Sequence, residues 1–335
     1  MTAGLKKIIR RMARPLVRLT DGLREPNFIG SEHIHGLDSI HGICRSATLI
    51  ARPGNDGKGS ITFGEKVWLG EDVEIEINHD QTIVIGADTS LQNGCVIRGD
   101  VTIGAHCTFA RNVMAMSTQH HFRDMPAWLI RDQDRAYTAA HSKSDPAAGI
   151  FIEEDCWFGA GSAVMPGTYI GRGAIIGANT VVTRDIAPYE VHGGTPNRRL
   201  SIRLPFAPPA KIDAKNDDNL PYFYRGFRLT QAELAQSRKI GVIGASQSIR
   251  LVLKGGGDTV TIYGKCQPQI GTMRIAVNGQ ECAEKPNAAK EFSWTVPVSK
   301  VINGQIPAAL REYTVVDILS DASVQDFGIA EAHIC

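Results

Sequence analysis

The sequence predicts an all-β protein in which a parallel β-helix of six-residue repeats precedes an antiparallel β-sandwich, with a short helix at the N-terminus. The first observation is an apolar residue at every sixth position through the middle of the chain. A short strand followed by a tight turn produces that period, whereas an α-helix or an alternating strand does not. Three such sides close a triangular coil, and successive coils stack in parallel. The periodic positions are Phe63, Leu69 and Ile75, then Ile85, Leu91, Ile97, Ile103, Phe109 and Ala115, then Ile152, Phe158, Val164, Ile170, Ile176 and Val182.

The second observation is the residue two before each periodic position, which is small or β-branched. Side chains two apart share one face of a strand, so both residues are expected to point into the coil. Cys95, Cys107 and Cys156 occupy such positions and are expected to pack as small apolar side chains. Glycine often follows the periodic residue, as at Gly64 and Gly104, and we expect it to supply the turn conformation.

Composition narrows the classes of function. The chain has 335 residues and a net charge of +1, so it carries no general attraction to nucleic acid. No apolar run reaches the ~18 residues that span a bilayer. The N-terminus lacks the continuous apolar core of a secretory signal. The 7 cysteines include no CxxC pair, so a reducing cytoplasm is the expected location.

The first 27 residues are expected to form a basic amphipathic helix. Basic and apolar side chains recur at helical spacing through residues 1–20, and no acidic residue interrupts them. Interfacial helices have this pattern, so the segment predicts peripheral contact with an anionic membrane surface such as the bacterial inner membrane. Packing of the same helix on a neighbouring subunit is the alternative.

Changes in composition divide the chain into regions. Thr230 and Glu233 form a predicted capping box for a short helix that follows a Pro- and Asp-rich linker. Beyond it, short apolar stretches alternate with turn residues, as in a β-sandwich. In that sandwich, Tyr263 and Trp294 would either offer a sugar-stacking face or pack in the core. The predicted regions are 1–27 (helix), 28–204 (β-helix, with a loop at 116–149), 205–239 (linker and short helix) and 240–335 (β-sandwich accessory domain).

The long loop opens with Gln119-His120-His121-Phe122, directly after a repeat strand. An imidazole at the edge of a coil suits general-base chemistry near neutral pH. Two adjacent histidines are also common as ordinary polar loop residues. The pair by itself therefore leaves both interpretations open.

Four segments, in order, carry the motifs of one family. They are Gln119-His120-His121-Phe122, Trp157-Phe158-Gly159 through Met165-Pro166-Gly167 to Ile170-Gly171, Ile176-Gly177-Ala178 through Thr183-Arg184-Asp185-Ile186, and Gly194-Thr195-Pro196-Asn197-Arg198. With this order and spacing, the stretch from about 85 to 200 resembles the hexapeptide-repeat, left-handed β-helix acyltransferases. It is most similar to the galactoside, maltose and xenobiotic acetyltransferase group. Thr195 and Asn197 depart from the family pattern, which usually has Asn and Ala there.

The resemblance implies a site as well as a fold. It implies His120 as general base, with His121 as the alternate if the register is one residue off. It implies acetyl-CoA as cosubstrate, no metal, and a homotrimer with cofactor sites between subunits. The implied cofactor contacts are Trp157 beside the pantetheine arm, the backbone amides of Ala160 and Ala178 on the pantetheine amides or the acyl oxygen, Thr183 and Arg184 along the nucleotide end, and Arg198 near its phosphates.

The function expected from these features is acetyl-CoA-dependent O-acetylation of a saccharide hydroxyl. The resemblance suggests a nucleotide-linked or lipid-linked sugar acceptor in bacterial surface polysaccharide biosynthesis. N-acetylation of an amino sugar is the close alternative. A non-catalytic, carbohydrate-binding trimeric scaffold is a further one, for which the C-terminal sandwich is the only support.

A rival enzyme class shares the fold. The segment Cys95-Val96-Ile97-Arg98-Gly99-Asp100-Val101 resembles part of the γ-class carbonic anhydrases, zinc hydratases with three histidine ligands. His106 lies at a predicted turn, but the later histidine pair of that family is missing. Arg98 and Asp100 are therefore expected to form an ion pair at a turn or to contact the acceptor.

Overall fold

The computed structural model shows two compact units, Met1–Leu204 and Pro205–Cys335. The predicted N-terminal helix lies outside the residues that the structure describes. The described residues are 26–54, 57–140, 149–237, 241–244, 248–266, 272–286, 291–304, 306–320 and 327–335.

The first unit is a parallel β-helix, as predicted, and coils begin as early as Asn27. Three sheets, A, B and C, form its sides, and the chain visits them in turn. Its strands are β1 (Asn27–Ile29), β2 (Ile34–His35), β3 (Gly42–Ile43), β4 (Thr48–Pro53), β5 (Ser60–Phe63), β6 (Trp68–Leu69), β7 (Glu74–His79), β8 (Thr82–Ile85), β9 (Ser90–Leu91), β10 (Val96–Arg98), β11 (Val101–Ile103), β12 (Thr108–Phe109), β13 (Met114–Met116), β14 (Ile150–Ile152), β15 (Trp157–Phe158), β16 (Ala163–Val164), β17 (Tyr169–Ile170), β18 (Ile175–Ile176), β19 (Val181–Val182), β20 (Glu190–Gly193) and β21 (Arg198–Ile202).

Each sheet stacks one strand from every coil. Sheet A runs β1-β4-β7-β10-β13-β16-β19, sheet B runs β17-β14-β11-β8-β5-β2, and sheet C runs β21-β20-β18-β15-β12-β9-β6-β3. All pairings are parallel except the last, where β20 and β21 form an antiparallel hairpin. This hairpin closes the upper end of sheet C.

The periodic residues form the core of the β-helix, as the sequence predicts. Equivalent residues of successive coils stack on each other, and the rings of Phe109 and Phe158 lie 4.4 Å apart at 15°. Cys95, Cys107 and Cys156 are buried among them. Burial raises the pKa of the Cys95 thiol to about 11, so this group is an inert packing residue.

The glycines after the periodic positions have a different reason from the one expected. Gly64 and Gly104 do not adopt a positive φ. Instead, a Cβ at Gly64 would lie 2.5 Å from the backbone nitrogen of Ala87 in the next coil. The close stacking of coils therefore excludes a side chain there. The left-handed turn residue comes two positions after the glycine, as at Lys66, with a φ of 61°.

The loop at 116–149 is not structureless. It contains one described helix, α1 (Ile130–Ala140). Gln133 of this helix is buried and holds the loop together, because its amide accepts from the Met125 N–H at 3.2 Å and donates to the Trp128 carbonyl at 3.1 Å. The repeat then resumes at β14, which pairs with β11 of the preceding coil.

The second unit is a two-sheet antiparallel structure, as predicted. One sheet runs β22-β31-β26-β29, with β24 paired to β31, and the other runs β23-β25-β30-β27-β28. Its strands and its α-helix are β22 (Lys211–Asp213), β23 (Phe223–Arg225), α2 (Gln231–Ser237), β24 (Val242–Ile243), β25 (Ser248–Leu253), β26 (Thr259–Cys266), β27 (Thr272–Val277), β28 (Gln280–Pro286), β29 (Glu291–Pro297), β30 (Thr314–Ser320) and β31 (Phe327–Ile334).

The segment 205–239 is not a linker. It supplies β22, which pairs with β31, and β23, which pairs with β25. Proline and aspartate occupy the short connections between these strands, and that composition misled the sequence-based interpretation. The capping box is confirmed, because the Thr230 backbone N–H and hydroxyl both donate to the Glu233 carboxylate and the Glu233 N–H donates to the Thr230 hydroxyl.

The two aromatic residues singled out in the sandwich lie in different environments. Trp294 is buried in the core and stacks on Phe292 at 4.0 Å. Tyr263 is exposed on the opposite face of the same sheet, where its ring lies parallel to that of His333. Of the pair, only Tyr263 is available to a ligand. Among the helices that the structure describes, none has the length and apolar character needed to cross a lipid bilayer.

Candidate functional site

His120 forms a histidine–carboxylate pair. It follows β13 at the start of the loop, and its Nδ1 lies 2.8 Å from Oδ2 of Asp134, on α1. Its imidazole is 79% exposed, so the other ring nitrogen faces outward. Because a carboxylate only accepts hydrogen bonds, the proton of the neutral ring resides on Nδ1. Nε2 is then a free base.

Asp134 is held in this position by the loop backbone. Its Oδ1 accepts the backbone N–H of His121 at 2.9 Å. That bond, followed by the bond from His120, lowers the pKa of Asp134 below the ordinary carboxyl value. The carboxylate therefore stays ionised and available to orient the imidazole.

The structure separates the roles of the two adjacent histidines. The ring of His121 stacks on Tyr137 at 3.6 Å and 18°. Its Nδ1 also lies 3.9 Å from the Asp124 carboxylate. His121 therefore fastens the loop onto α1, whereas His120 presents a base outward.

The loop also exposes apolar side chains near this pair. Phe122, Trp128, Leu129 and Ile130 are all exposed, and Leu129 is 74% exposed. Three of these four side chains, Trp128, Leu129 and Ile130, are consecutive in the chain. Single apolar side chains on a surface are ordinary.

The residues implied as cofactor contacts are divided between sheet C and the turns at the two ends of the last strands of sheet A. Trp157, on sheet C, is 53% exposed. Ala160 and Ala178 occupy equivalent turns just before β16 and β19, and Asn179 N–H joins these turns by donating to the Ala160 carbonyl at 2.9 Å. Within the described part of the chain, neither alanine N–H donates to a protein acceptor.

Thr183 and Arg184 follow β19, at the other end of that strand. Arg198 begins β21, beside Asn197. Both guanidinium-bearing residues are exposed. Asn197, in contrast, is fully buried, and its Oδ1 accepts the Thr183 N–H at 3.0 Å. The structure therefore brings Thr183 and Asn197 together, and with them the positions of the two arginines.

The residues tied to the carbonic anhydrase alternative have structural partners. Arg98 pairs with Glu74 and Glu76 rather than with Asp100. Asp100 instead accepts the Thr82 N–H at 2.8 Å. His106 is the left-handed residue of a turn, with a φ of 60°. The described residues include no group of three or more His, Cys, Asp or Glu side chains arranged to hold a metal ion.

Sequence reasoning missed Asp134, Asn197 and His192, whose Nδ1 lies 3.0 Å from the amide nitrogen of Asn197. Asp134 lies 14 residues from His120 in the sequence. The sequence does not predict how the loop helix is oriented, so it could not show that the two side chains meet. The sequence did show that Asn197 departs from the family motif. It did not show which residue the Asn197 side chain contacts.

The comparisons with known proteins point to the repeat region. The family model described as "Bacterial transferase hexapeptide (six repeats)" matches residues 149–184. The chain is 32% identical over 108 residues to a chloramphenicol acetyltransferase of Klebsiella aerogenes, which covers 30% of this chain and 51% of that relative. It is 40% identical over 110 residues to a chloramphenicol acetyltransferase of Agrobacterium fabrum, covering 31% and 52%. It is 34% identical over 97 residues to a galactoside O-acetyltransferase of Lactococcus lactis, covering 29% and 41%.

These findings confirm the resemblance to the hexapeptide-repeat acetyltransferases. The chain spans about half the length of these two chloramphenicol acetyltransferases. A solved hexapeptide-repeat acetyltransferase from Vibrio cholerae, complexed with acetyl coenzyme A, is 25% identical, with a TM-score of 0.31 and coverage of 41% of this chain and 71% of that one.

Proposed function

We propose that this protein transfers an acetyl group from acetyl-CoA to a hydroxyl group, with His120 as the general base. The observation that carries the proposal is the His120–Asp134 pair, which leaves a free Nε2 at the mouth of the loop. Its place, just before the repeats that the transferase model matches, supports the assignment.

The proposed reaction is a direct transfer from the thioester to the acceptor. The acceptor oxygen attacks the thioester carbonyl carbon as its proton passes to Nε2 of His120. Collapse of the tetrahedral adduct breaks the carbon–sulfur bond, and the leaving thiolate takes up the proton. Asp134 stabilises the imidazolium that forms in between, as a carboxylate does in catalytic triads. Thioester activation makes a covalent enzyme intermediate unnecessary.

The chemistry of the implied cofactor contacts fits coenzyme A. The exposed indole of Trp157 offers an apolar surface for the pantetheine arm. The backbone amides of Ala160 and Ala178 have no acceptor among the residues that the structure describes, which suits a carbonyl or a developing oxyanion. Arg184 and Arg198 suit phosphate groups because guanidinium forms bidentate bonds to them.

We propose a saccharide as the acceptor, presented as a nucleotide-linked or lipid-linked sugar of a bacterial surface polysaccharide. Similarity to a galactoside O-acetyltransferase supports a sugar hydroxyl. Similarity to chloramphenicol acetyltransferases supports chloramphenicol as a second candidate. N-acetylation of an amino sugar remains the third.

A direct assay distinguishes these acceptors. Purified protein is incubated with acetyl-CoA and, in parallel, with a galactoside, an amino sugar or chloramphenicol, and free thiol is measured. Release of thiol that depends on an acceptor, with the acetylated product seen by mass spectrometry, is the expected result. Thiol release with the amino sugar alone would favour N-acetylation. Absence of acetyl-CoA binding would contradict the whole proposal.

A further inference from the structure

A chain of polar contacts, buried at His192 and Asn197, joins the β20–β21 hairpin to the last coil of the β-helix. We call it the last-coil network, and it consists of Thr183, Glu190, His192, Asn197 and Arg199. Thr183 lies on the last coil, and the other four lie on the β20–β21 hairpin or in its turn. The transfer chemistry proposed above uses none of the last four residues.

The hydrogen bonds of the network define the orientation of each group. Oδ1 of Asn197 accepts the Thr183 N–H at 3.0 Å and the Thr183 hydroxyl at 3.4 Å. Its Nδ2 must therefore be the group that lies 3.0 Å from Nδ1 of His192. Because that amide nitrogen only donates, Nδ1 is the bare nitrogen and the ring proton resides on Nε2.

Nε2–H of His192 then donates to Oε2 of Glu190 at 2.8 Å. The other oxygen of Glu190 accepts from Arg199 at 3.1 Å. Partial burial acts to raise the pKa of Glu190, but the bonds from His192 and Arg199 outweigh it and lower that pKa. A neutral His192 thus connects a charged, surface-anchored carboxylate to a buried amide.

Because the centre of the network is buried, its polar groups cannot exchange their partners for water. Asn197 is fully buried, and the His192 side chain is 6% exposed. A buried polar group that loses its partner costs roughly 1–3 kcal/mol. The network therefore holds one arrangement of the hairpin relative to the last coil. Arg184 directly follows Thr183 and Arg198 directly follows Asn197, so the same bonds hold the backbone of both arginines.

We propose that His192 and Asn197 are positioning residues that hold Arg184 and Arg198 for the nucleotide end of coenzyme A. This inference rests on the proposed function, since it concerns the same cofactor. The ligand chemistry is the phosphate-bearing nucleotide, and the acetyl-pantetheine portion lies outside the influence of the network. The alanine that the family usually has at position 197 would make neither side-chain bond.

The test separates binding from chemistry. In the full-length protein, His192→Ala and Asn197→Ala should raise KM for acetyl-CoA about 5- to 20-fold, the scale of one or two charge-assisted contacts. The value of kcat should stay within about 2-fold, because His120 and Asp134 are untouched. With acetyl-pantetheine, which lacks the nucleotide, kcat/KM of the variants should match that of the wild type. His192→Gln retains an amide that can bond Asn197, so it should recover part of the lost affinity.

The control is His106→Ala, which removes a histidine that contacts Asp88 at a turn elsewhere on the β-helix. It should change neither KM nor kcat. Thermal unfolding and sizing accompany each variant, and if Asn197→Ala does not fold, the two His192 variants decide the matter. If the wild-type protein does not turn over acetyl-pantetheine measurably, the test rests on acetyl-CoA alone. The variants must then raise KM for acetyl-CoA and leave kcat unchanged.

Equal losses with acetyl-CoA and acetyl-pantetheine, or a fall in kcat at unchanged KM, would overturn the inference. So would variants that fold and behave as wild type. Failure of the proposed function is distinguishable, because the wild-type protein itself would then neither bind coenzyme A nor release thiol.

Discussion

At the scale of single residues, the adjacent His120 and His121 differ in their contacts and in their exposure. The His120 side chain is 79% exposed, so its second nitrogen is open to an incoming acceptor, whereas the His121 side chain is 28% exposed and its ring lies against Tyr137. A general base must be reachable by the acceptor whose proton it takes. The geometry therefore supports the register in which His120, and not His121, is the base.

Replacing His120 with Ala should lower kcat by at least ~100-fold, the usual scale for losing acid–base catalysis, while acetyl-CoA still binds. His121→Ala should cost less, because the loop loses an anchoring contact but keeps its base. Steady-state kinetics of both variants, with isothermal titration of acetyl-CoA, measures this. An inactive His121→Ala beside a nearly normal His120→Ala would contradict the assignment.

Replacing Asp134 with Asn should lower kcat about 10-fold or more, with KM for acetyl-CoA unchanged, because the ring loses the acceptor that orients it. Since the folded state lowers the pKa of Asp134, the stabilising pair is present above the ordinary carboxyl range and is lost as pH falls through the lowered value. The acid limb of a wild-type kcat profile should therefore lie at a higher pH than the lowered pKa of Asp134. Asp132→Asn, on the same helix, is the matched control, and an equal loss there would remove the special role of Asp134.

At the scale of elements, the repeat strands could be predicted and the loop could not. Each inward position depends on neighbours one coil away, at a constant spacing, so the sequence period carries the information. Helix α1 packs through Gln133 and Asp134 onto parts of the same loop, and no repeat indicates such contacts. The prediction of a linker at 205–239 was wrong for a related reason. The strands of this segment are short, and their partners β25 and β31 lie far along the chain.

The C-terminal unit is expected to act on acceptor use and not on the transfer step. A chain ending at Leu204 should keep acetyl-CoA binding and slow transfer to small hydroxyl acceptors, and lose efficiency toward a larger saccharide. The reason is that the candidate base and cofactor contacts all lie in the first unit, whereas the exposed Tyr263 lies in the second. Circular dichroism and sizing must first show a folded β-helix. Full kcat/KM toward the larger acceptor would limit the unit to stability or assembly.

At the scale of the whole molecule, we expect a homotrimer with cofactor sites between subunits. Met114 of β13 and Met165, directly after β16, are exposed on the side of the β-helix that sheet A forms. A second copy that covers this side would supply the other wall of the site, and cyclic symmetry would produce three equal sites. Light scattering should show about three times the 36.3 kDa of one chain. An active, monodisperse monomer would refute the assembly.

Residues 1–20 are expected to bind anionic membrane surfaces weakly, because basic side chains flank an apolar helical stripe. Flotation with liposomes, with and without anionic lipid, compares the full chain with one starting at Asn27. The full chain should float only with anionic lipid. Equal behaviour of the two proteins would remove the membrane contact and favour packing on a neighbouring subunit.

The sequence by itself determined the β-helix, its inward residues, the antiparallel unit and the capping box, because each depends on short, regular spacings. Only the tertiary structure decided which histidine faces outward, that Asp134 orients it, and that Asn197 joins the last coil to the hairpin. It also showed that coil stacking, and not turn conformation, requires Gly64. These features depend on contacts between segments whose separation follows no period, and such contacts exist only once the chain has folded.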